Sequence, residues 1–282
     1  MSHVCVSAGL DDAAPAVDAR LPDGTRLHAV LPPIADRGTL ISLRAVRPHA
    51  FTLEALVECG TIAPPLAPVV HALVLRRANL LVSGATGAGK TTLLAAMLAL
   101  VPPDERIVLI EEAGELESGH EHLVRLVARR PNVDGAGRVD LGDLVRHAMR
   151  MRPDRIVLGE CRGAEVADVM TALNTGHDGG CATLHANTAA DVPARLEALG
   201  VLAGLTRDAV HAQAASAFDA VLHVRRSHGL RYLADVAVVR RSSDGLEVVP
   251  AISADPGGAT VRGVGWGALS ERWGLRAATG AA

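Results

Sequence analysis

The sequence predicts an α/β fold, in which the strands of one sheet alternate along the chain with helices. Apolar strand segments and helical segments alternate between residues 79 and 239. A glycine-rich loop joins the strand at 79–82 to the helix at 92–100. The 282 residues are 49% hydrophobic but only 2% aromatic, so we expect a core of alanine, valine and leucine. This length accommodates one large domain or two smaller ones.

The glycine-rich loop fits the pattern G-x-x-x-x-G-K-S/T, the phosphate-binding P-loop. Its glycines let backbone N–H groups curl around phosphate oxygens, and the following helix N-terminus favours negative charge. Lys90 is the only lysine among 28 lysine and arginine residues, as expected where phosphates require a compact point charge. A plain glycine-rich turn before a core helix is the alternative. The residues predicted to bind the nucleotide are Gly84, Ala85, Thr86, Gly87, Ala88, Gly89, Lys90, Thr91 and Thr92.

The segment before this loop predicts a small β-rich piece followed by a linker. Residues 1–46 are expected to form a partial β-rich domain, with a hairpin at 16–21 and 26–30 and a third strand at 39–44. Three strands do not easily form an independent core, so this piece must lean on the next domain or on another subunit. Residues 47–68 are predicted to be a linker containing one short helix.

Residues 69–250 are predicted to form the P-loop domain, and residues 251–282 a flexible tail rich in glycine and alanine. The predicted elements are a helix at 69–77, strands at 79–82, 106–110, 122–129, 155–159, 181–184, 221–224 and 233–239, and helices at 92–100, 140–151, 165–174, 190–199 and 206–217.

Charge and cysteine content narrow the possible partners. A net charge of −3 does not favour direct binding of nucleic acid or of an anionic membrane. The four cysteines have no C-x-x-C spacing and are expected to be reduced thiols. The longest apolar runs are too short to cross a bilayer. We therefore expect only peripheral membrane association, through partner proteins.

Acidic residues follow two apolar strands of the predicted sheet. Glu160 ends the strand that begins at Arg155, and Glu111 with Glu112 ends the strand at 106–110. In open α/β sheets the carboxyl ends of strands carry the ligand-binding groups, and nucleotide hydrolysis needs acids for Mg²⁺ and water. The alternatives are an ordinary buried strand that ends at the surface and a solvated acidic turn. Thr91, Glu112 and Glu160 are the predicted Mg²⁺ ligands.

Two histidines flank the short strand at 181–184. His177 precedes the strand and His185 follows it, which suggests a role in sensing the γ-phosphate. Zinc binding by these histidines with Cys181 is the alternative, although no four-ligand zinc spacing is present.

Four motifs in this order resemble the type II/type IV secretion (traffic) ATPases, most closely their Tad/Flp-pilus branch. These are Gly84 to Thr92 (Walker A), Arg106 to Leu116 (Asp box), Arg152 to Gly163 (Walker B) and Asn174 to Asn187 (His box). The resemblance covers residues 14–245. It implies a RecA-like domain, ATP and Mg²⁺ as cofactors, and a homo-hexameric ring. It also implies a cytoplasmic position at the inner face of the cell membrane, beside inner-membrane platform proteins of a pilus, secretion or conjugal-transfer machine.

Carried over by position, the resemblance also assigns roles to side chains. Glu111, Glu112 and Glu160 would act on water and metal, and His177 and His185 would sense the γ-phosphate. The catalytic candidates are Glu160, Glu111, Glu112, Lys90, His177, His185 and Arg162. Arginines of the N-terminal piece are candidates to reach the phosphates, with three others as alternatives; these are Arg26 and Arg44, then Arg125, Arg129 and Arg130.

Three departures from the family pattern bear on function. Glu112 stands where members usually have aspartate, Cys161 stands where a β-branched residue is common, and the N-terminal domain is expected to be truncated. The expected function is an ATP-hydrolysing motor subunit of a pilus-assembly, secretion or conjugal-transfer machine. A nucleotide-binding assembly subunit with little turnover is one alternative. A DNA-translocating ATPase is the other, although the chain has few aromatic residues on which bases could stack.

Overall fold

The structure, a computed structural model, describes residues 10–22, 25–44, 51–129 and 137–275. The chain divides into two compact units, Met1–His49 and Ala50–Ala282, and each is described by itself.

The first unit is a three-stranded antiparallel sheet in the order β1-β2-β3. Its strands are Ala16–Arg20, Arg26–Val30 and Leu40–Arg44. This confirms the hairpin and the third strand, while residues 23 and 24 of the predicted turn lie outside the described residues. Among the described residues of this unit only Ala29 and Ala35 are buried apolar residues, whereas Leu40 and Leu43 are exposed. The unit therefore has little core of its own.

The second unit is built on a nine-stranded sheet in the order β12-β11-β10-β9-β4-β8-β7-β5-β6. From β6 to β9 the neighbouring strands run parallel, and β9 to β12 are antiparallel. The strands are Leu80–Ser83 (β4), Ile107–Glu111 (β5), Leu123–Val127 (β6), Arg155–Cys161 (β7), Cys181–Leu184 (β8), Ala220–Ser227 (β9), Leu230–Ser242 (β10), Gly245–Ala254 (β11) and Thr260–Arg262 (β12).

Eight α-helices and one 3-10 helix surround this sheet in the described part of the unit. The α-helices are Leu53–Glu58 (α1), Ala67–Leu75 (α2), Lys90–Leu98 (α3), Leu141–Ala148 (α4), Glu165–Leu173 (α5), Val192–Leu202 (α6), Arg207–Ala217 (α7) and Trp266–Arg272 (α8), and the 3-10 helix is Ala189–Asp191. Asp140 caps α4, as predicted, and forms a reciprocal capping box with Asp143.

Both faces of the parallel sheet are buried. Leu80 and Val82 of β4 belong to one hydrophobic cluster, and Leu81 belongs to a second cluster across the sheet. Side chains alternate between the two faces of a strand, so a strand covered on both sides is apolar throughout. This arrangement explains why the central strands are continuous apolar runs in the sequence.

Two of the predicted boundaries are wrong. Residues 251–275 do not form a flexible tail, because they complete β11 and add β12 and α8. Ala251, Ile252 and Leu269 of this segment are buried in the first hydrophobic cluster. The segment 51–68 is not a free linker either. Its predicted helix is present as α1, and five of its apolar side chains are buried in the second unit, namely Leu53, Leu56, Ile62, Ala63 and Leu66.

Candidate functional site

The predicted nucleotide site lies at the carboxyl edge of the parallel strands. β4 ends at Ser83, directly before the P-loop. Neighbouring parallel strands bring Glu160 and His185 to the same edge, because β8 lies between β4 and β7 in the sheet. Such an edge is the usual ligand crevice of an α/β sheet.

The P-loop requires glycine at the positions where its backbone is left-handed. Gly87 and Gly89 have φ of +73° and +106°, which side-chain-bearing residues rarely adopt. A β-carbon on Gly84 would collide with the carbonyl oxygen of Val224 on β9. The loop therefore packs against β9 at its first residue and starts α3 at Lys90. Thr91 is exposed in the first turn of that helix, so its hydroxyl group is accessible.

The amine of Lys90 sits inside the loop. The residue is only 7% exposed, and its Nζ donates to the carbonyl oxygens of Gly84 at 3.0 Å and Ala85 at 3.2 Å. A third contact joins Nζ to Nδ1 of His185 at 3.1 Å. Burial lowers the pKa of Lys90, and the nearby carboxylate of Glu160 opposes that shift. The charge stays in the loop because carbonyl oxygens and a carboxylate compensate it.

His185 connects this amine to Glu160. Its Nδ1 accepts from Lys90, so Nε2 carries the proton that it donates to Oε1 of Glu160. Burial lowers the pKa of His185, and the charge of Lys90 lowers it further, against the opposing effect of Glu160. The neutral imidazole with this tautomer therefore fits the geometry.

Arg162 extends the connection to a second acid. Its Nε donates to Oε2 of Glu160 at 2.8 Å, and its Nη1 donates to Oε2 of Glu112 at 2.9 Å. The resulting polar chain, defined as Glu112, Arg162, Glu160, His185 and Lys90, is partly open to solvent. The side chains of Arg162 and Glu112 are 58% and 53% exposed, so incoming phosphate or metal can compete for their contacts.

Glu111 is separated from the polar chain although it precedes Glu112 directly. Its Oε1 accepts the backbone N–H groups of Glu115 and Leu116, both at 2.9 Å. Its Oε2 lies 3.2 Å from Nε of Arg125 on β6. Glu111 is the last residue of β5 and Glu112 follows the strand, and the two carboxylates contact different partners. Glu111 orders the segment after β5, while Glu112 faces Arg162.

His177 lies at the other end of β8. It precedes the strand, and its Nδ1 is 3.0 Å from the carbonyl oxygen of Ala172 at the end of α5. His177 and His185 therefore lie at opposite ends of β8 within this chain. The zinc alternative also lacks support, because the described residues contain no group of three or more histidine, cysteine or acidic residues able to hold a metal ion.

The remaining arginine candidates have separate positions. Arg26 and Arg44 are direct cross-strand neighbours in the first unit. Arg125 is paired with Glu111 and Glu117, Arg129 donates to the carbonyl of Gly137, and Arg130 lies outside the described residues.

The structure adds one residue that the sequence analysis missed. Nε of Arg231 on β10 donates to the carbonyl oxygen of Gly87 at 2.9 Å. The two residues are 144 positions apart, and no local pattern connects them. Only the pairing of β9 with β4 and β10 brings them together.

The fold places the glycine-rich loop at the carboxyl edge of an α/β sheet, and comparison with known proteins identifies the family of the chain. The family described as "Type II/IV secretion system protein" matches residues 2–228. The chain belongs to this family, as the four sequence motifs indicated.

Individual relatives agree with this assignment. A "Putative conjugal transfer protein" of Mycobacterium tuberculosis is 54% identical over 264 residues, covering 90% of this chain and 75% of that protein. Conjugal transfer protein TrbB of Rhizobium radiobacter is 33% identical over 221 residues, covering 77% of this chain and 65% of TrbB.

Solved structures show a similar fold. The VirB11 ATPase from the Brucella suis type IV secretion system, in complex with sulphate, superposes with a TM-score of 0.54 at 26% identity, covering 81% of this chain and 77% of that one. The Legionella pneumophila ATPase DotB has a TM-score of 0.59 at 19% identity, covering 82% and 64%, and shows the fold alone. Among the described residues of this chain, no helix has both the length and the apolar character needed to cross a membrane.

Proposed function

We propose that this protein is an ATP-hydrolysing, Mg²⁺-dependent motor subunit of a pilus-assembly, secretion or conjugal-transfer machine. The observation that carries the proposal is the polar chain, which links the P-loop amine of Lys90 through His185 to Glu160. A phosphate-binding loop beside a strand-end acid is the arrangement that P-loop enzymes use for nucleotide hydrolysis. The family membership and the ATPases among the structural neighbours support the same activity.

The residues at this edge fit ATP and Mg²⁺. Lys90 supplies a compact positive charge beside the exposed loop residues Ala85 and Thr86, where phosphate oxygens would lie. Mg²⁺ is usually held by one or two protein oxygens together with substrate phosphates, so a complete protein cage is not needed. The accessible hydroxyl of Thr91 and the carboxylate of Glu160 would hold the ion, which would neutralise charge developing on the phosphates.

Glu160 would also orient the attacking water. Both its carboxylate oxygens are engaged, one by His185 and the other by Arg162. Nucleotide entry would draw Lys90 towards the phosphates and release His185, which frees one oxygen of Glu160. Arg162 would then exchange its contact with Glu160 for a contact with the phosphates, while Glu112 remains available as its other partner.

The machine-level part of the proposal follows the resemblance and the relatives. The subunit would have a RecA-like domain and form a homo-hexamer at the cytoplasmic face of the inner membrane, where it would act on platform proteins. By the same resemblance, Arg26 and Arg44 are proposed as further phosphate-binding residues. The Tad/Flp-pilus branch is the proposed subgroup, while the conjugal transfer proteins among the relatives favour a conjugation-type machine equally.

Steady-state ATP hydrolysis by purified protein with Mg²⁺ tests this proposal, with size-exclusion chromatography in the presence of a non-hydrolysable ATP analogue. Turnover that rises with ring formation and disappears in Lys90→Ala supports the motor. ATP binding without turnover supports a nucleotide-binding assembly subunit instead. Turnover that depends on added DNA supports a DNA-translocating ATPase.

A further inference from the structure

We propose that Arg231 is a positioning residue for nucleotide binding. It restrains the P-loop by donating a hydrogen bond to the carbonyl group of Gly87. The inference rests on the proposed function, because it assumes that the P-loop binds ATP. Its basis is the 2.9 Å hydrogen bond from Nε of Arg231 to Gly87. Arg231 belongs to none of the four sequence motifs, and it lies on an antiparallel strand beyond the parallel part of the sheet.

Arg231 and Lys90 hold the loop from different points. Lys90 binds the carbonyl oxygens of Gly84 and Ala85, near the start of the loop. Arg231 binds the carbonyl oxygen of Gly87, in the second half of the loop. Its methylene stem also passes close to Gly89, where a β-carbon would lie 3.4 Å from Cδ of Arg231. The two cations therefore restrain both halves of the loop.

This restraint bears on the backbone conformation of the P-loop. A trans peptide places its C=O and N–H on opposite sides, so fixing the Gly87 carbonyl also fixes the N–H of Ala88. That N–H donates to the carbonyl oxygen of Ala85 within the loop at 3.2 Å. A glycine-rich loop loses much conformational freedom when it orders around a ligand, and a pre-ordered loop loses less. The Arg231 contact thus lowers the cost of nucleotide binding.

The residue opposite Arg231 in the sheet provides a control for its charge. Arg226 on β9 lies directly opposite Arg231 on β10. Like charges in directly opposite positions disfavour strand pairing. Arg226 makes no hydrogen bond or ion pair with the P-loop among the described residues, so it shares the charge and surroundings of Arg231 but not its contact. It is therefore the matched control.

The first test is the affinity for a fluorescent ATP analogue with Mg²⁺, measured for the wild type and for Arg231→Ala, Arg231→Lys and Arg226→Ala. We expect about tenfold weaker binding in Arg231→Ala, because a hydrogen bond to a charged donor is lost. Arg231→Lys restores part of the affinity, since it keeps the charge without the fixed Nε–H geometry. Arg226→Ala stays close to wild type. Equal weakening in Arg231→Ala and Arg226→Ala would show bulk charge alone and overturn the proposal.

The second test separates this inference from the proposed function. Amide hydrogen exchange of the P-loop in the nucleotide-free protein should be faster in Arg231→Ala than in the wild type or Arg226→Ala, with unchanged exchange in β5 and β7. This readout needs no nucleotide binding. If the wild type bound no ATP, the proposed function would be wrong. If amide exchange in the P-loop were unchanged in Arg231→Ala, the proposed role of Arg231 would be wrong.

Discussion

The two ends of β7 carry the same kinds of charged side chains in opposite settings. At the amino end, Arg155 is 1% exposed, and its Nε donates to Oε2 of Glu105 at 2.6 Å. Its Nη1 also donates to the carbonyl of Val74 at 2.9 Å, where α2 ends. At the carboxyl end, Arg162 contacts Glu160 and Glu112, but its side chain is 58% exposed.

This difference separates a structural ion pair from an exchangeable one. Water is largely excluded from Arg155, so its partners must stay in place or leave a buried charge uncompensated. Water reaches Arg162, so its contacts can be replaced at little cost by phosphate or metal. A charged cluster at a sheet edge is therefore informative about function mainly when it is half-open and touches a ligand-binding loop.

The largest expected effect is on stability at the amino end. Arg155→Met removes one of the two arginine partners of the partly buried Glu105 carboxylate, together with the hydrogen bond to Val74. It should lower the free energy of unfolding by about 3 kcal/mol. Arg162→Met is the matched control at the carboxyl end and should change it by less than about 1 kcal/mol. Urea denaturation of both variants measures the difference. Similar losses for the two arginines would remove the contrast between the two ends.

The next effect is on catalysis at the carboxyl end. Glu160→Gln keeps the side-chain size but removes the base, and kcat for ATP hydrolysis should fall by about 100-fold or more. The unfolding midpoint should stay near wild type, because Glu160 lies in the partly open polar chain. Steady-state hydrolysis at saturating ATP and Mg²⁺, together with thermal unfolding, measures both quantities. Wild-type kcat in Glu160→Gln would exclude Glu160 as the base.

A smaller effect concerns pH and the imidazole of the polar chain. The pKa of His185 lies below its ordinary value of 6.5 because burial and Lys90 disfavour the charged ring. The unfolded chain therefore takes up this proton first as pH falls. The contribution of neutral His185 to the free energy of unfolding is complete above about pH 6.5 and is lost on acidification. The free energy of unfolding should fall less steeply with acid in His185→Asn than in wild type. An equal or steeper fall in the variant would contradict this ionisation.

The sequence was sufficient for the parts of this site that depend on local pattern. The continuous apolar runs of β4, β5 and β7 follow from burial on both faces, and the lone lysine marks the P-loop. The order of neighbouring strands is not local. This order places Arg125 on β6 beside Glu111, whereas Glu112 pairs with Arg162.

The sequence alone does not predict a contact that depends on the pairing of distant strands, or an element whose hydrophobic pattern is interrupted. Arg231 reaches Gly87 only through the register of β9 and β10, which a strand pattern alone does not specify. The final strands and helix were missed because glycines and Pro256 interrupt the segment after β11. Packing of Ile252 and Leu269 into the core orders that segment despite its composition.

The most direct test of nucleotide binding at the carboxyl edge is a calorimetric titration of ATP with Mg²⁺ into the wild type and Lys90→Ala. We expect one ATP-binding site per chain in the wild type. We expect at least about 100-fold weaker binding in Lys90→Ala, equivalent to about 2.7 kcal/mol. Equal affinity in the two proteins would contradict the claim that the open carboxyl edge binds the nucleotide phosphates.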